Sequence, residues 1–418
     1  MDPVGIIVLV GFVVAYALVS GRVDDGPLSP PMVFVGVGAV AGWVGWGDGL
    51  PVETLLPLLE VTLALILFSD AARIDVSLLR RRFRMPLRLL VIGLPLSIAL
   101  GTVAGLLILP ALGVAGALLV AVMLAPTDAA VGEPVVTNPL VPEHVRQAIN
   151  VESGLNDGLA VPALAAAVAF AGMSGGGEGA IELVLRSLGQ IVLGVGIGGL
   201  AGLIGAAGLK WATDRRWAER RYRKIGTAAL ALLAFLLADM VGASGFVAAF
   251  VAGGVLGHRA RELCSELLEF ADTEGRLLSL ISFFMFGAVA VPAAVAALDL
   301  RTVLYAIASL TAVRMVPVAI ALAGRRYDPS TVLYIGWFGP RGIASIVFAF
   351  LAAEQLGDVD QVVTVVSVAV VASLLLHGLS AGPLSARYGN AALAMDAGRP
   401  ERDDAGAARV WSSKDSAV

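Results

Sequence analysis

Long apolar stretches, parted by short polar or charged breaks, set the rhythm of this chain from its start to about residue 381. A helix that crosses a bilayer takes roughly 17 to 25 apolar residues. Runs of that order, some short or interrupted, can be drawn at 4–20, 32–46, 54–70, 87–109, 111–131, 145–172 and 183–209. Others follow at 226–241, 244–258, 278–298, 302–323, 331–353 and 361–381. The pattern predicts an all-α polytopic membrane protein of about thirteen transmembrane helices. The first run, Val4 to Ser20, has no Lys or Arg ahead of it and reads as a retained helix, not a cleaved leader. Residues 1–381 are expected to form the transmembrane domain. Residues 382–418, polar and rich in Ala and Gly, are expected to be a short disordered cytoplasmic tail.

Composition narrows the function. With 58% hydrophobic and 15% charged residues, the chain is not a soluble enzyme, and nothing in it points to nucleic acid or to a cofactor. One cysteine, Cys264, excludes an intrachain disulfide framework. Net charge is only -4, but its distribution is informative. "LLRRRFRMPLR" (78–88), "KWATDRRWAERRYRK" (210–224) and "GRRYD" (324–328) are basic. The alternate loops "GDGLPVE" (47–53), "SGGGEGAIE" (174–182) and "EQLGDVDQ" (354–361) carry no Lys or Arg. The positive-inside rule then puts the N-terminus outside and the C-terminus in the cytoplasm of a multi-pass plasma-membrane protein, with Arg301 the one basic residue on the outer side.

Two spans are broken. The fifth holds "MLAPTDAAVGEP", with Pro126, Thr127 and Asp128; the twelfth holds "GWFGPRGIAS", with Pro340 and Arg341. Irregular backbone at membrane depth is tolerated where it is packed in protein or lines a cavity. Paired broken helices in corresponding positions of two halves mark the substrate site of inverted-repeat transporters. These two lie seven spans apart, as expected for repeats formed by spans 1–6 and 8–13. Half-helix ends favour an acid at the N-terminus and a base at the C-terminus, roles open to Asp128 and Arg341.

The sixth span spends charge where hydrocarbon discourages it. In "NVESGLNDGLAVP" (150–162), Glu152 and Asn156 are four apart, as are Ser153 and Asp157, so two pairs project from adjacent strips of one helix. Ionisable groups inside a membrane mark ion pathways by default. Asp157 is expected to face a water-filled cavity, where it can hold a proton or a hard cation and hardly both. Thr127, Asp128, Ser153 and Asp157 offer the oxygen ligands such a cation wants. A transition-metal site is not expected: His144, His258 and His377 lie at predicted helix ends and read as interfacial residues. Glu152 needs a lasting partner. Arg314, mid-span in "YAIASLTAVRMVPVAIAL", is the natural donor and Arg341 the rival.

"TDAAVGEPVVTNPLVP" followed by "INVESGLNDGLAVP", then "AVRMVP" and "GPRGIAS", resemble the monovalent cation:proton antiporters of the NhaP type. The resemblance covers about residues 1–381. It implies an NhaA/NhaP-like fold of inverted repeats with two crossed, broken helices, in which a six-helix core moves against a dimerisation domain of a homodimer. It further implies that Asp157 is the shared cation and proton carboxylate, with Asn156, Asp128, Thr127 and Ser153 around it. Glu152 would pair with Arg314, and Arg341 would be the arginine of the "RG" motif. An Asn-Asp pair in this family implies electroneutral one-for-one exchange of Na⁺, Li⁺ or K⁺ for H⁺. Two positions depart from the family pattern. Asp70, one residue after the place where many relatives carry Glu, is either a cap for the "RRRFR" segment or an ion ligand. Glu133 is either a funnel acid or a solvated helix-end residue.

A cation-coupled transporter of a small organic solute is the alternative. It calls for a roomier site with aromatic or extra hydrogen-bonding groups, and residues 123–162 contain no aromatic residue. A passive channel would need no carboxylate that alternates its load.

Overall fold

The structure is a computed structural model that describes residues 3–24, 26, 28–46, 52–73, 84–128, 131–173, 180–261, 271–324, 327–357, 359–395 and 401–402. Cys264, most of the 78–88 and 174–182 loops, and the end of the tail lie outside the described residues.

All regular structure among the described residues is helical. The first half comprises α1 (Pro3–Asp24), α2 (Pro30–Trp43), α3 (Val52–Arg73), α4 (Arg84–Ile108), α5 (Gly113–Met123), α6 (Glu133–Val136) and α7 (Glu143–Met173). A long connecting helix, α8 (Ala180–Asp214), follows. The second half comprises α9 (Arg220–Met240), α10 (Gly245–Arg259), α11 (Arg276–Ala296), α12 (Leu300–Leu322), α13 (Pro329–Trp337), α14 (Ile343–Leu356) and α15 (Asp360–Leu393). Each apolar stretch drawn from the sequence coincides with a helix, except that 111–131 covers α5 and the break after it, with α6 lying just beyond, and 331–353 covers the broken pair α13/α14. In each half the broken span comes next to last and a long helix closes the unit. The offset of seven spans is odd, so corresponding helices run in opposite directions across the membrane, which is the inverted repeat.

Helix starts follow local chemistry. Asp299 accepts from Thr302 N at 2.8 Å and Asp328 from Ser330 N at 2.9 Å, each taking up an orphan donor of the first turn. Pro162 inside α7 supplies no N–H to the turn before it, which loosens that helix just beyond Asp157.

Packing divides the helices into two groups. α2 lies along α11, α3 along α10, and α10 against α8 and α9; in the other group α4 meets α5 and α12, α5 meets α7, and α12 meets α13 and α15. Leu63 and Leu67 of α3, Phe283 and Phe284 of α11, and Val347 and Phe348 of α14 form the buried apolar centre where the groups meet. Between neighbouring apolar helices in a membrane, attraction comes from close packing, so small residues sit at the crossings.

The last helix corrects the boundary drawn at residue 381. It runs on to Leu393, burying Ser385, Tyr388 and Ala392. Tyr334 of α13 bonds Ser385 at 2.8 Å and Thr331 bonds Tyr388 at 2.9 Å. Glu401, fully buried, accepts from the Thr331 hydroxyl at 3.3 Å. Local composition alone gave no sign of this, because the order comes from α13, a partner distant in sequence.

Gly253 of α10 shows how tight the crossings are. A Cβ there would come within 2.1 Å of the Phe68 carbonyl oxygen on α3, whereas at neighbouring Gly254 the nearest contact would be Ala71 Cβ at 4.0 Å. Gly253→Ala is expected to lower stability by about 1–3 kcal/mol, and Gly254→Ala to change it little. Thermal unfolding midpoints of the two purified variants in detergent check this.

Candidate ion-binding site

The two breaks satisfy each other. After α5 the chain leaves helical geometry at Leu124, two residues before Pro126, and after α13 at Phe338 to Gly342. Asp128 N donates to Pro340 O at 2.8 Å, joining the two breaks backbone to backbone. The Asp128 carboxylate accepts from Val131 N at 3.1 Å through Oδ1 and from Ile343 N, at the start of α14, at 2.8 Å through Oδ2. An anion thus meets the positive end of a half-helix, the favourable pairing. Arg341 does the converse. Its Nη1 donates to Pro126 O at 3.3 Å and Gly339 O at 2.9 Å, carbonyls that the interrupted helices leave free. Gly342 leaves room for the Asp128 carboxylate at Ile343 N, since a Cβ there would come within 1.9 Å of Asp128 Oδ2.

α7 carries the other polar groups. Asn156 Nδ2 donates to Thr127 Oγ1 at 2.8 Å and its Oδ1 accepts from Thr127 N at 3.3 Å, so one amide holds both ends of a single residue in the break. Thr127 Oγ1 also lies 2.9 Å from Ser153 Oγ. Glu152, on the neighbouring strip, meets Arg314 of α12 with Nη1–Oε1 2.6 Å and Nη2–Oε2 2.8 Å. Both side chains are 3% exposed, and the planar fork gives a fixed geometry that a lone ammonium would not. Arg341, the rival donor, is held by the carbonyls of the breaks.

Asp157 is different. It is buried, and its Oδ1 has no hydrogen-bond partner in the structure. It lines a cavity of about 840 Å³ together with Asp128, Asp70, Ser69 and Asn150. The same cavity reaches Glu133, Glu143, Arg146, Lys224 and Arg276 at the helix ends where the basic segments lie, so it opens toward that end of the bundle.

Asp70 sits inside α3, over Gly154 of α7, where a Cβ would come within 3.1 Å of its own. It therefore packs against α7 and lines the cavity; the segment after α3 lies outside the described residues. Glu133 is half-exposed at the rim, with its two oxygens 3.2 and 2.6 Å from Arg276 of α11. His377 departs from the interfacial expectation: because α15 continues past it, it is mid-helix and only 2% exposed. The described residues contain no cluster of His, Cys, Asp or Glu suited to a metal ion. Two residues that bond to the α13/α14 break, outside the ion site itself, escaped the sequence reading, Ser373 and His377. Their spacing of four on α15 was the available signal.

Removing one partner of a buried ion pair strands the other, at a cost of about 3–5 kcal/mol. Glu152→Ala is therefore expected to lose most of the monodisperse protein, while Glu152→Gln combined with Arg314→Met recovers much of it. Size-exclusion profiles and unfolding midpoints of the three forms measure the difference.

Known proteins share this architecture. The profile of the family described as sodium/hydrogen exchanger, transmembrane, matches residues 8–387. The Na(+)/H(+) antiporter NhaG of Bacillus atrophaeus is 27% identical over 265 residues, covering 59% of this chain and 48% of that protein. The chain thus matches about half the length of that relative. Two structures of the sodium proton antiporter MjNhaP1 of Methanocaldococcus jannaschii superpose with TM-scores of 0.72 and 0.73 at 19% identity. They cover 92% and 93% of this chain, and 99% and 98% of theirs, a likeness of fold. With the family profile spanning nearly every helix around the crossed breaks, the chain belongs to the sodium/hydrogen exchanger family.

Proposed function

We propose that the protein is a secondary active antiporter that exchanges a monovalent cation, Na⁺ with Li⁺ or K⁺ as further candidates, for H⁺ by alternating access. The observation that carries this reading is the uncommitted oxygen of Asp157, buried at a cavity open to one end of the bundle. Such a carboxylate needs a proton or a cation to satisfy it, and each excludes the other. Asp157 would be the shared site, with Asp128, Thr127, Ser153 and Asn156 placing oxygen ligands beside it. Glu152 and Arg314 would hold α7, and Pro126, Pro340 and Arg341 would shape the crossing. One exchangeable carboxylate supports electroneutral one-for-one exchange.

Basic residues at the cavity end, among them Arg73, Arg84, Lys210, Arg220 and Arg402, support a cytoplasmic placement of that end and an inward-open state. The proposed setting is the plasma membrane, with the protein acting as a homodimer whose core group of helices moves against the other group. The cavity volume is also compatible with a small organic solute, which remains the second reading.

Proteoliposomes holding a preset pH gradient test both. Addition of Na⁺, Li⁺ or K⁺, but not choline, is expected to dissipate the gradient equally with and without a potential clamp. Asp157→Asn is expected to reduce the rate to that of empty liposomes while remaining folded. Retained exchange in this variant would sink the shared-site mechanism. If no cation moves protons, uptake of organic solutes becomes the measurement that decides.

A further inference from the structure

α15 contributes no residue to the ion site described above, yet it carries a buried hydrogen-bonded tie that spans the break between α13 and α14. Ser373 Oγ accepts from Arg341 N at 2.7 Å, inside the break. His377 Nε2 lies 2.8 Å from the carbonyl oxygen of Trp337, the last residue of α13. A carbonyl only accepts, so Nε2 carries a proton. The other ring nitrogen, Nδ1, lies 3.0 Å from Ser373 Oγ and 2.9 Å from Ser373 O. With Nε2 protonated, a bare Nδ1 takes the Ser373 hydroxyl proton and a protonated Nδ1 donates to the Ser373 carbonyl, so either state joins His377 to Ser373. The result is a continuous chain from Trp337 O through His377 and Ser373 to Arg341 N. It fastens the end of α13 and the backbone of Arg341 to one rigid helix. Both residues are 2% or less exposed, and the Trp337 indole stands 5.3 Å from the imidazole centre to centre.

The apolar packing of α15 against α11 and α14 stands on Val365, Val366, Val370 and Leu374. What the tie does control is where Arg341 and Ile343 N sit, and these meet Pro126 O and Asp128 across the crossing. We propose that His377 and Ser373 are positioning residues for ion exchange, fixing the α13/α14 break so that the ligand groups facing it keep their spacing. This rests on the antiport reading above.

The experiment compares wild type, His377→Leu, His377→Gln and Ser373→Ala in two readouts. The first is hydrogen–deuterium exchange of peptides covering 337–343 in the purified protein, which needs no transport. The second is the cation concentration giving half-maximal exchange in proteoliposomes, alongside the maximal rate. Expected are faster deuterium uptake across 337–343 in His377→Leu and Ser373→Ala, and a half-saturating concentration raised about tenfold with the maximal rate largely kept. His377→Gln, which keeps a donor for Trp337 O, is expected to fall between these and wild type. Ser373→Ala retains nearly all the volume and stays informative if His377→Leu folds poorly. Unchanged deuterium uptake overturns the tie itself. Faster uptake with unaltered half-saturation overturns the positioning role and leaves only a structural one. A wild type that exchanges no cation defeats the antiport reading instead, and the deuterium arm still judges the tie.

Discussion

The backbone of two interrupted helices has to be satisfied in the middle of a membrane, and everything else in this structure is arranged around that requirement. Water cannot do it at that depth without a cavity, and a lone kink would leave donors and acceptors exposed to hydrocarbon. The solution here is reciprocal. Each break completes the other through Asp128 N and Pro340 O, and two charged side chains neutralise the half-helix ends: Asp128 at Ile343 N, Arg341 at Pro126 O and Gly339 O. The pairing cannot be dissolved one side at a time. The inverted repeat is what brings two such breaks face to face.

Around that crossing, charges are sorted by how fully they are spoken for. Glu152 has both oxygens taken by Arg314 in an almost dry environment, which makes it a fixed strut. Glu133 and Arg276 join at the rim, where solvent screening leaves an ion pair worth little to stability. Asp157 alone among the charged groups of α7's buried face keeps a buried oxygen without a protein partner. In the exchange proposed above, stability and ion chemistry would then fall to residues five positions apart on one helix.

Much of this was legible in the chain. The apolar rhythm gave the spans because only helices solve the backbone problem in lipid without closing a barrel, and Pro126 and Pro340 with polar neighbours gave the breaks. The i, i+4 spacing of Glu152 with Asn156 and Ser153 with Asp157 placed four polar groups on adjacent strips. What stayed hidden depended on contacts between distant segments. Helix α15 persists past residue 381 because Tyr334 and Thr331 of α13 receive Ser385 and Tyr388, which composition cannot announce. His377 looked interfacial for the same reason. Asp70 was ambiguous because helical phase across a packed pair is set by the partner, here Gly154.

Asp128 and Asp157 border one cavity, but both oxygens of Asp128 are engaged by backbone N–H groups, and in Asp157 one is idle. This asymmetry has a thermodynamic corollary for the exchange proposed above. With a single seat that proton and cation occupy in turn, the loaded site carries the same charge on both journeys, and the membrane voltage does no net work on the cycle. The whole driving force is then chemical. A difference of one pH unit, about 1.4 kcal/mol, sustains a cation ratio of at most about tenfold. Such a cell-surface device would act as a follower of the pH gradient, unable to borrow from the electrical one, however large the voltage across the bilayer grows.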